Sequence, residues 1–298
     1  PTAGSWLSAP RSRPPSTETA TRTGTAMHID ELFQFHFMTN ALEAGTLVAV
    51  TASAIGWFMV VRKQTFAGHT LSLIAFPGAA AAALAGAPVF VGYFAACAAG
   101  ALALAAVSGG GVEGRSLGHE SAAIGSVQAF GLGLGFLFVS LYHGLLTSLN
   151  SMLFGTFLGI TDVQVLVLLG VALAVLAVLA AIARPLLFAS VDADVARARG
   201  VPVAALSVGF LLLLGLAVAA TSQITGALLV FALLVTPAAT AQHITSRPAV
   251  GLALTLAIAL LVTWVGLAIA YYTVYPVGFY VTSLSFGLYV LARLVVRR

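Results

Sequence analysis

Between residues 41 and 296 the chain runs through one apolar stretch after another. Most are roughly 18 residues or longer and nearly free of charge, enough for a helix to cross the hydrocarbon core of a bilayer. That pattern constrains the fold more than any other feature. Charged residues make up 7% of the 298 positions and hydrophobic residues 60%. A water-soluble domain with so little polar cover would leave apolar surface in water, whereas a bilayer accepts it. Short segments of alternating polarity, the mark of a membrane barrel, do not occur. Ala, Gly and Leu dominate the runs, which suits close helix contact in lipid. The expected fold is all-α: a polytopic transmembrane bundle of roughly eight or nine helices in a cell membrane, lipid its surroundings.

The sequence predicts spans over residues 41–61, 71–86, 89–107, 122–142, 163–182, 203–220, 226–241, 249–272 and 278–294. Arg62 with Lys63, Arg115, the group Arg184, Arg197 and Arg199, then Arg247, and finally Arg293, Arg297 and Arg298 all follow odd-numbered spans. Loops on the cytoplasmic side hold the Lys/Arg excess, so the N-terminus is expected outside and the C-terminus in the cytoplasm. The net charge of +4 then reflects topology rather than a surface for nucleic acid. Residues 1–26 are rich in Ser, Thr, Pro and Arg and read as a disordered extension, a start-site artefact or tag remnant ahead of Met27. Residues 27–298 read as one membrane domain.

Two of the shorter runs contain proline: Pro77, followed by Gly78, in 71–86, and Pro237, preceded by Thr236, in 226–241. Both are expected to be broken helices. Carbonyls freed at membrane depth persist only beside protein or a water-filled cavity, so paired breaks point to a translocation pathway. Residues 149–162 are apolar but short and Gly-interrupted, and are expected to form a re-entrant or interfacial hairpin on the outer side.

Enzyme chemistry finds no support. The single lysine, Lys63, is followed by Gln64, so no Walker A loop exists, and any ATP must be bound and hydrolysed on another subunit. Residues 109–114 match the dinucleotide fingerprint letter by letter but follow a membrane helix, not a strand. His119-Glu120 begins a zinc-protease string that lacks its second His, position 123 being Ala. Cys97, the only cysteine, lies inside an apolar run, so no disulfide or cysteine-based metal site can form. No cofactor is expected.

The segment 188–203 stands apart. It reads Phe188-Ala189-Ser190-Val191-Asp192-Ala193-Asp194-Val195-Ala196-Arg197-Ala198-Arg199-Gly200-Val201-Pro202-Val203. Asp192 suits an N-cap and Asp194 the positive helix end. Arg197 and Arg199 suit the negative end, and Gly200 terminates the helix before Pro202. A charged helix between membrane spans is expected to be a docking element, with an idle surface helix as the alternative. The string resembles the cytoplasmic loop of the zinc/manganese-type ABC-importer permeases, typically Phe-Asp-Pro-Glu-Phe-Ala-Arg-Ala-x-Gly-x-Pro-Val. Residues 226–241, GALLVFALLVTPAATA, are similar to that family's Gly-x-Leu-Leu-Val-x-Ala-Leu-Leu-x-x-Pro-Ala-Ala-Thr-Ala. Residues 153–161, LFGTFLGIT, resemble its Leu-Phe-Gly-Ser-Leu-Leu-Gly-Ile-Thr, and 120–125 its Glu-Asp-Thr-Ala-Ile-Gly loop.

The resemblance implies an importer permease for divalent zinc, manganese or iron, or for a metal chelate. It implies three partners: a cytoplasmic ABC ATPase, an extracytoplasmic substrate-binding protein, and a second permease in a homodimer or heterodimer. Asp192, Asp194, Arg197, Arg199 and Gly200 would form the coupling helix in the ATPase cleft. His69, Ser72, Pro77, Thr236 and Pro237 are the pathway candidates. At the second span the family reads Gly-Asp-Ala-Leu-Ser-His-Ala-x-x-Pro-Gly, with a carboxylate and an imidazole on one helix face. Here His69 stands for that Asp and Leu73 for that His. A secondary transporter working without an ATPase is the competing reading. It also uses broken helices, but it needs ionisable groups inside the membrane, where His69 is almost alone.

Overall fold

The computed structural model describes residues 36–107, 117–141, 155, 159–273 and 275–296, and helices are the only regular elements among them. In chain order they are α1 (His36–Val61), α2 (Thr65–Leu84), α3 (Val89–Val107), α4 (Leu117–Leu141), α5 (Asp162–Val191), α6 (Ala193–Ala198), α7 (Val203–Ile244), α8 (Pro248–Tyr271) and α9 (Val277–Val295). Among the described residues eight segments are long and apolar enough to cross a membrane, and Leu229–Ile244 is a shorter apolar helix beside them. The chain is a multi-pass membrane protein. The extension 1–26, the 109–114 loop and nearly all of 149–158 lie outside the described residues.

α1 is apolar around its whole circumference, and such a helix belongs in the interior. Residues on all its faces from Met38 to Met59 are buried against α5, α7 and α8. α2 packs on α3, α4 and α7, while α4 and α9 bury little of their length and present apolar surface outward. Short links make neighbours antiparallel. Arg62, Lys63 and Gln64 turn α1 into α2, with Lys63 in the left-handed region at φ 57°. α5 opens on a capping box: the Gln164 N–H donates to Thr161 Oγ1 at 3.4 Å and the Thr161 N–H donates to Gln164 Oε1 at 3.0 Å.

The structure relocates the expected breaks. α2 runs continuously through Pro77 and α7 through Pro237. Each proline removes one N–H and crowds the carbonyl four residues back, but a helix held by close neighbours keeps its course. Both prolines are buried. Gly78 serves packing: a Cβ there would lie 2.3 Å from the Gly92 carbonyl oxygen of α3.

The non-helical residue inside α7 is Gly226, at φ 74° and ψ 158°, a conformation reserved almost wholly for glycine. It reverses the chain. Ser207, near the start of α7, bonds Arg62. Gln223 and Ile224 line a cavity with Val89, Phe90 and Val163 at the opposite, His36 end of the bundle. Thr245, just past α7, is back beside Gly251 and Trp57, one turn before the end of α1. The predicted spans 203–220 and 226–241 are thus the two arms of one helical hairpin.

Candidate transport pathway and docking helix

α6 forms as its sequence dictates. The Asp192 carboxylate accepts the Asp194 N–H at 3.1 Å and the Val195 N–H at 2.9 Å. Arg197 pairs with Asp194 at 2.8 Å. At the other end Arg199 is the C-cap and Gly200 takes φ 81°. The Gly200 N–H then reaches the Arg197 carbonyl at 2.9 Å and the Val201 N–H reaches the Ala196 carbonyl at 3.0 Å, a Schellman closure. Ala196 is buried with Ala189 and Val203, flanked by Ala193 and Val201. This apolar underside fixes α6 to the ends of α5 and α7, while Asp194, Arg197 and Arg199 stay exposed. A short charged helix held rigidly between two spans can receive a partner and transmit its movement.

Beneath it lies a residue that sequence reading took only for a topology signal. Arg62 is 7% exposed. Its guanidinium donates to Ser190 Oγ at 3.3 Å, in the last turn of α5, and to Ser207 Oγ at 2.8 Å, near the start of α7. Its Nε donates to Gln64 Oε1 at 3.3 Å, and the group lies 5.4 Å from the Phe210 ring centre. Burial pushes its pKa below the ordinary arginine value. Neither serine carries a sequence signal, because 128 and 145 residues separate them from Arg62.

The pathway candidates divide between α2 and the returning arm of α7. His69 is half-buried one turn into α2, its ring 4.5 Å from that of Phe231 at a tilt of 56°. Its Nδ1 is buried without a hydrogen-bond partner among the described residues. The Ser72 hydroxyl is occupied locally, donating to the His69 carbonyl at 2.8 Å. Leu73 stands half-buried one turn beyond His69. Thr236 offers its carbonyl to the Thr240 hydroxyl at 2.7 Å, and Pro237 is buried beside it. The Phe231 contact joins the two helices. Among the described residues, no three His, Cys, Asp or Glu side chains gather as a metal-binding group.

At the opposite end Asp162 Oδ1 sits 2.9 Å from His36 Nε2 and accepts the Asn40 amide at 2.6 Å. Asn40 also donates to the Ile160 carbonyl at 3.2 Å. Beside this cluster, α3, α5 and α7 enclose a cavity of about 400 Å³, lined mainly by apolar side chains with Tyr93, Gln164 and Gln223 among them.

The model of the ABC 3 transport family matches residues 34–296. The chain belongs to this family. Among its relatives, the manganese transport system membrane protein MntC of Halalkalibacterium halodurans is 33% identical over 218 residues, 73% of either chain. The manganese import system permease protein ScaB of Streptococcus parasanguinis is 33% identical over 213 residues, 72% of this chain and 74% of its own. The solved structure of PsaBC from Streptococcus pneumoniae in complex with Fab superposes with a TM-score of 0.78 at 28% identity, covering 89% of this chain and 94% of that one. As an ABC 3 transport family member this chain is a membrane transport subunit.

Proposed function

We propose that this chain is the permease of an ATP-driven importer that moves divalent metal ions, manganese, zinc or iron, or a metal chelate. The observation that carries the proposal is α6: a helix capped at both ends and seated between the spans α5 and α7, with its charged side chains outward. Family membership and the named substrates of the manganese relatives support the same reading. α6 is the coupling helix, with Asp192, Asp194, Arg197, Arg199 and Gly200 forming the surface that a cytoplasmic ABC ATPase engages. ATP belongs to that partner.

An extracytoplasmic binding protein delivers substrate at the His36 end, and a second permease completes the membrane unit. The orientation draws support from the cations. Arg62, Lys63, Arg197, Arg199, Arg247 and Arg293 belong to helix ends or links on the side of Arg62, with Arg184 two turns inside the same end of α5, the side that the charge rule assigns to the cytoplasm. Within the membrane, His69 meets the ion. One imidazole binds loosely, which suits transit rather than storage.

Reconstitution of this chain with its ATPase and binding protein in proteoliposomes tests the proposal. Radioactive manganese or zinc should enter only with ATP and binding protein present. Uptake that needs neither would assign the chain to the secondary transporters.

A further inference from the structure

We propose that Arg62 is a positioning residue that transmits motion of the docking helix to the pathway helix α2, an inference that rests on the importer reading above.

A movement imposed on α6 leaves through its two flanks, the last turn of α5 and the first turns of α7. Each flank presents one hydroxyl, Ser190 on α5 and Ser207 on α7, and Arg62 donates to both. Ser190 itself donates to the Leu186 carbonyl at 2.6 Å, so this acceptor is fixed to α5. Arg62 occupies the link between α1 and α2, and Gln64, which accepts from Arg62 Nε, directly precedes Thr65, the first residue of α2. The Gly68 N–H donates to the Gln64 carbonyl at 3.1 Å. His69 follows immediately. One planar group thereby holds both flanks of the docking helix and the start of the helix that carries His69.

The chemistry suits that task. A guanidinium has five donors in a rigid fork and remains charged when buried, whereas an ammonium is a point charge on a flexible stem that cannot hold two separate acceptors in one plane. The Phe210 ring of α7 adds a cation–π contact. No carboxylate neutralises Arg62 in its hydrogen bonds among the described residues; its acceptors are neutral hydroxyls and an amide. A stabilising ion pair is therefore not its role. A cleft of about 190 Å³ beside this network is lined by Arg62 and Lys63 together with Ser190, Ala193, Arg197 and Ser207.

The test uses the full complex with ATPase and binding protein in proteoliposomes, comparing the parent with Arg62→Lys, Ser207→Ala and the double variant Ser190→Ala/Ser207→Ala. Three quantities are read: the amount of ATPase co-purified, the rate of ATP hydrolysis, and manganese transported per ATP hydrolysed. A transmission role predicts normal co-purification with a fall of about tenfold or more in manganese per ATP, the scale of one lost hydrogen bond to a charged group. Ser207→Ala removes a single oxygen and keeps the inference testable if Arg62→Lys does not assemble. An unchanged ratio in Ser207→Ala and in the double variant overturns it. So does a loss of uptake that merely tracks loss of assembled complex, because that is what a purely structural residue gives. If the parent itself hydrolyses ATP without moving manganese, the importer reading for that ion fails, and the inference falls with it.

Discussion

Gly155 offers the sharpest test of the hairpin. It has φ 76°, and a Cβ built on it would lie 2.3 Å from the Ile224 carbonyl oxygen, 2.4 Å from the Thr225 carbonyl carbon and 2.7 Å from the Gly226 nitrogen. All three are backbone atoms of the point where α7 reverses, so no side chain can swing aside. Two costs add in Gly155→Ala. Left-handed backbone costs an alanine about 1–2 kcal/mol. Opening the contact by about 1 Å costs about 1–3 kcal/mol, the range for overpacking a filled site.

Three other glycines separate these terms. Gly86, at φ 69° with nothing within 4 Å, should show the backbone term alone. Gly56, helical but with the Leu234 carbonyl oxygen 2.0 Å from its Cβ position, should show the steric term alone. Gly159, with neither feature, should be close to neutral. Thermal unfolding of the detergent-solubilised chain measures the series. At about 2–4 °C per kcal/mol, Gly155→Ala should lose on the order of 5–15 °C and Gly86→Ala about half as much or less. Gly155→Ala as stable as Gly86→Ala would refute the contact between residue 155 and the α7 turn.

Two predictions concern the docking helix and the orientation. Asp194→Lys removes the Arg197 pair and opposes the helix dipole, while Gly200→Val forces a β-branched residue to φ 81°. Asp194→Lys should destabilise α6 by about 0.5–2 kcal/mol and Gly200→Val by about 1–3 kcal/mol, each cutting ATP-driven uptake with membrane insertion unchanged, measured as uptake per inserted permease. Reporter fusions at Ala87, between α2 and α3, and at Lys63 should report opposite sides of the membrane, Lys63 in the cytoplasm; the same side for both would overturn the assignment.

The helices were legible because their signal is local. Long apolar runs and the Asp192–Gly200 punctuation involve neighbours in sequence, and α3 and α6 form where the residues alone place them. The breaks were misread for a physical reason. A proline's effect on a helix depends on what packs around it, and α2 and α7 are held on several sides, so Pro77 and Pro237 are absorbed. The sequence divides 203–220 from 226–241, but nothing in the context of Gly226 reports the φ of 74° at which the chain reverses. The Arg62 cross-brace and the His36–Asn40–Asp162 cluster depend on partners more than a hundred residues away, which a single sequence does not pair. His69 stands out in the sequence as a candidate, whereas its contact with Phe231 does not.

That contact frames the substrate question. A bare divalent ion taken from water into a low-dielectric pathway must exchange its hydration shell for fixed donors. On α2 this chain supplies one strong donor, His69, with Leu73 where a second imidazole would share its face. On the proposed importer reading, a free ion passing α2 would take His69 as its ligand there and complete its coordination from a second permease or from water. A chelate arrives with its coordination complete and needs no ligand from the wall. His69→Ala separates the two. Uptake of free manganese by the reconstituted complex should fall about tenfold or more, while uptake of a chelated ion should stay within about twofold, an extrapolation from the cost of weakening a metal site. Leu73→His should act in the opposite sense, placing two imidazoles one turn apart. Equilibrium dialysis of the purified permease should then show tighter manganese binding, and turnover should slow as release becomes limiting. If His69→Ala leaves both substrates moving at the parental rate, the ring against Phe231 is a packing element and the ion passes elsewhere in the bundle.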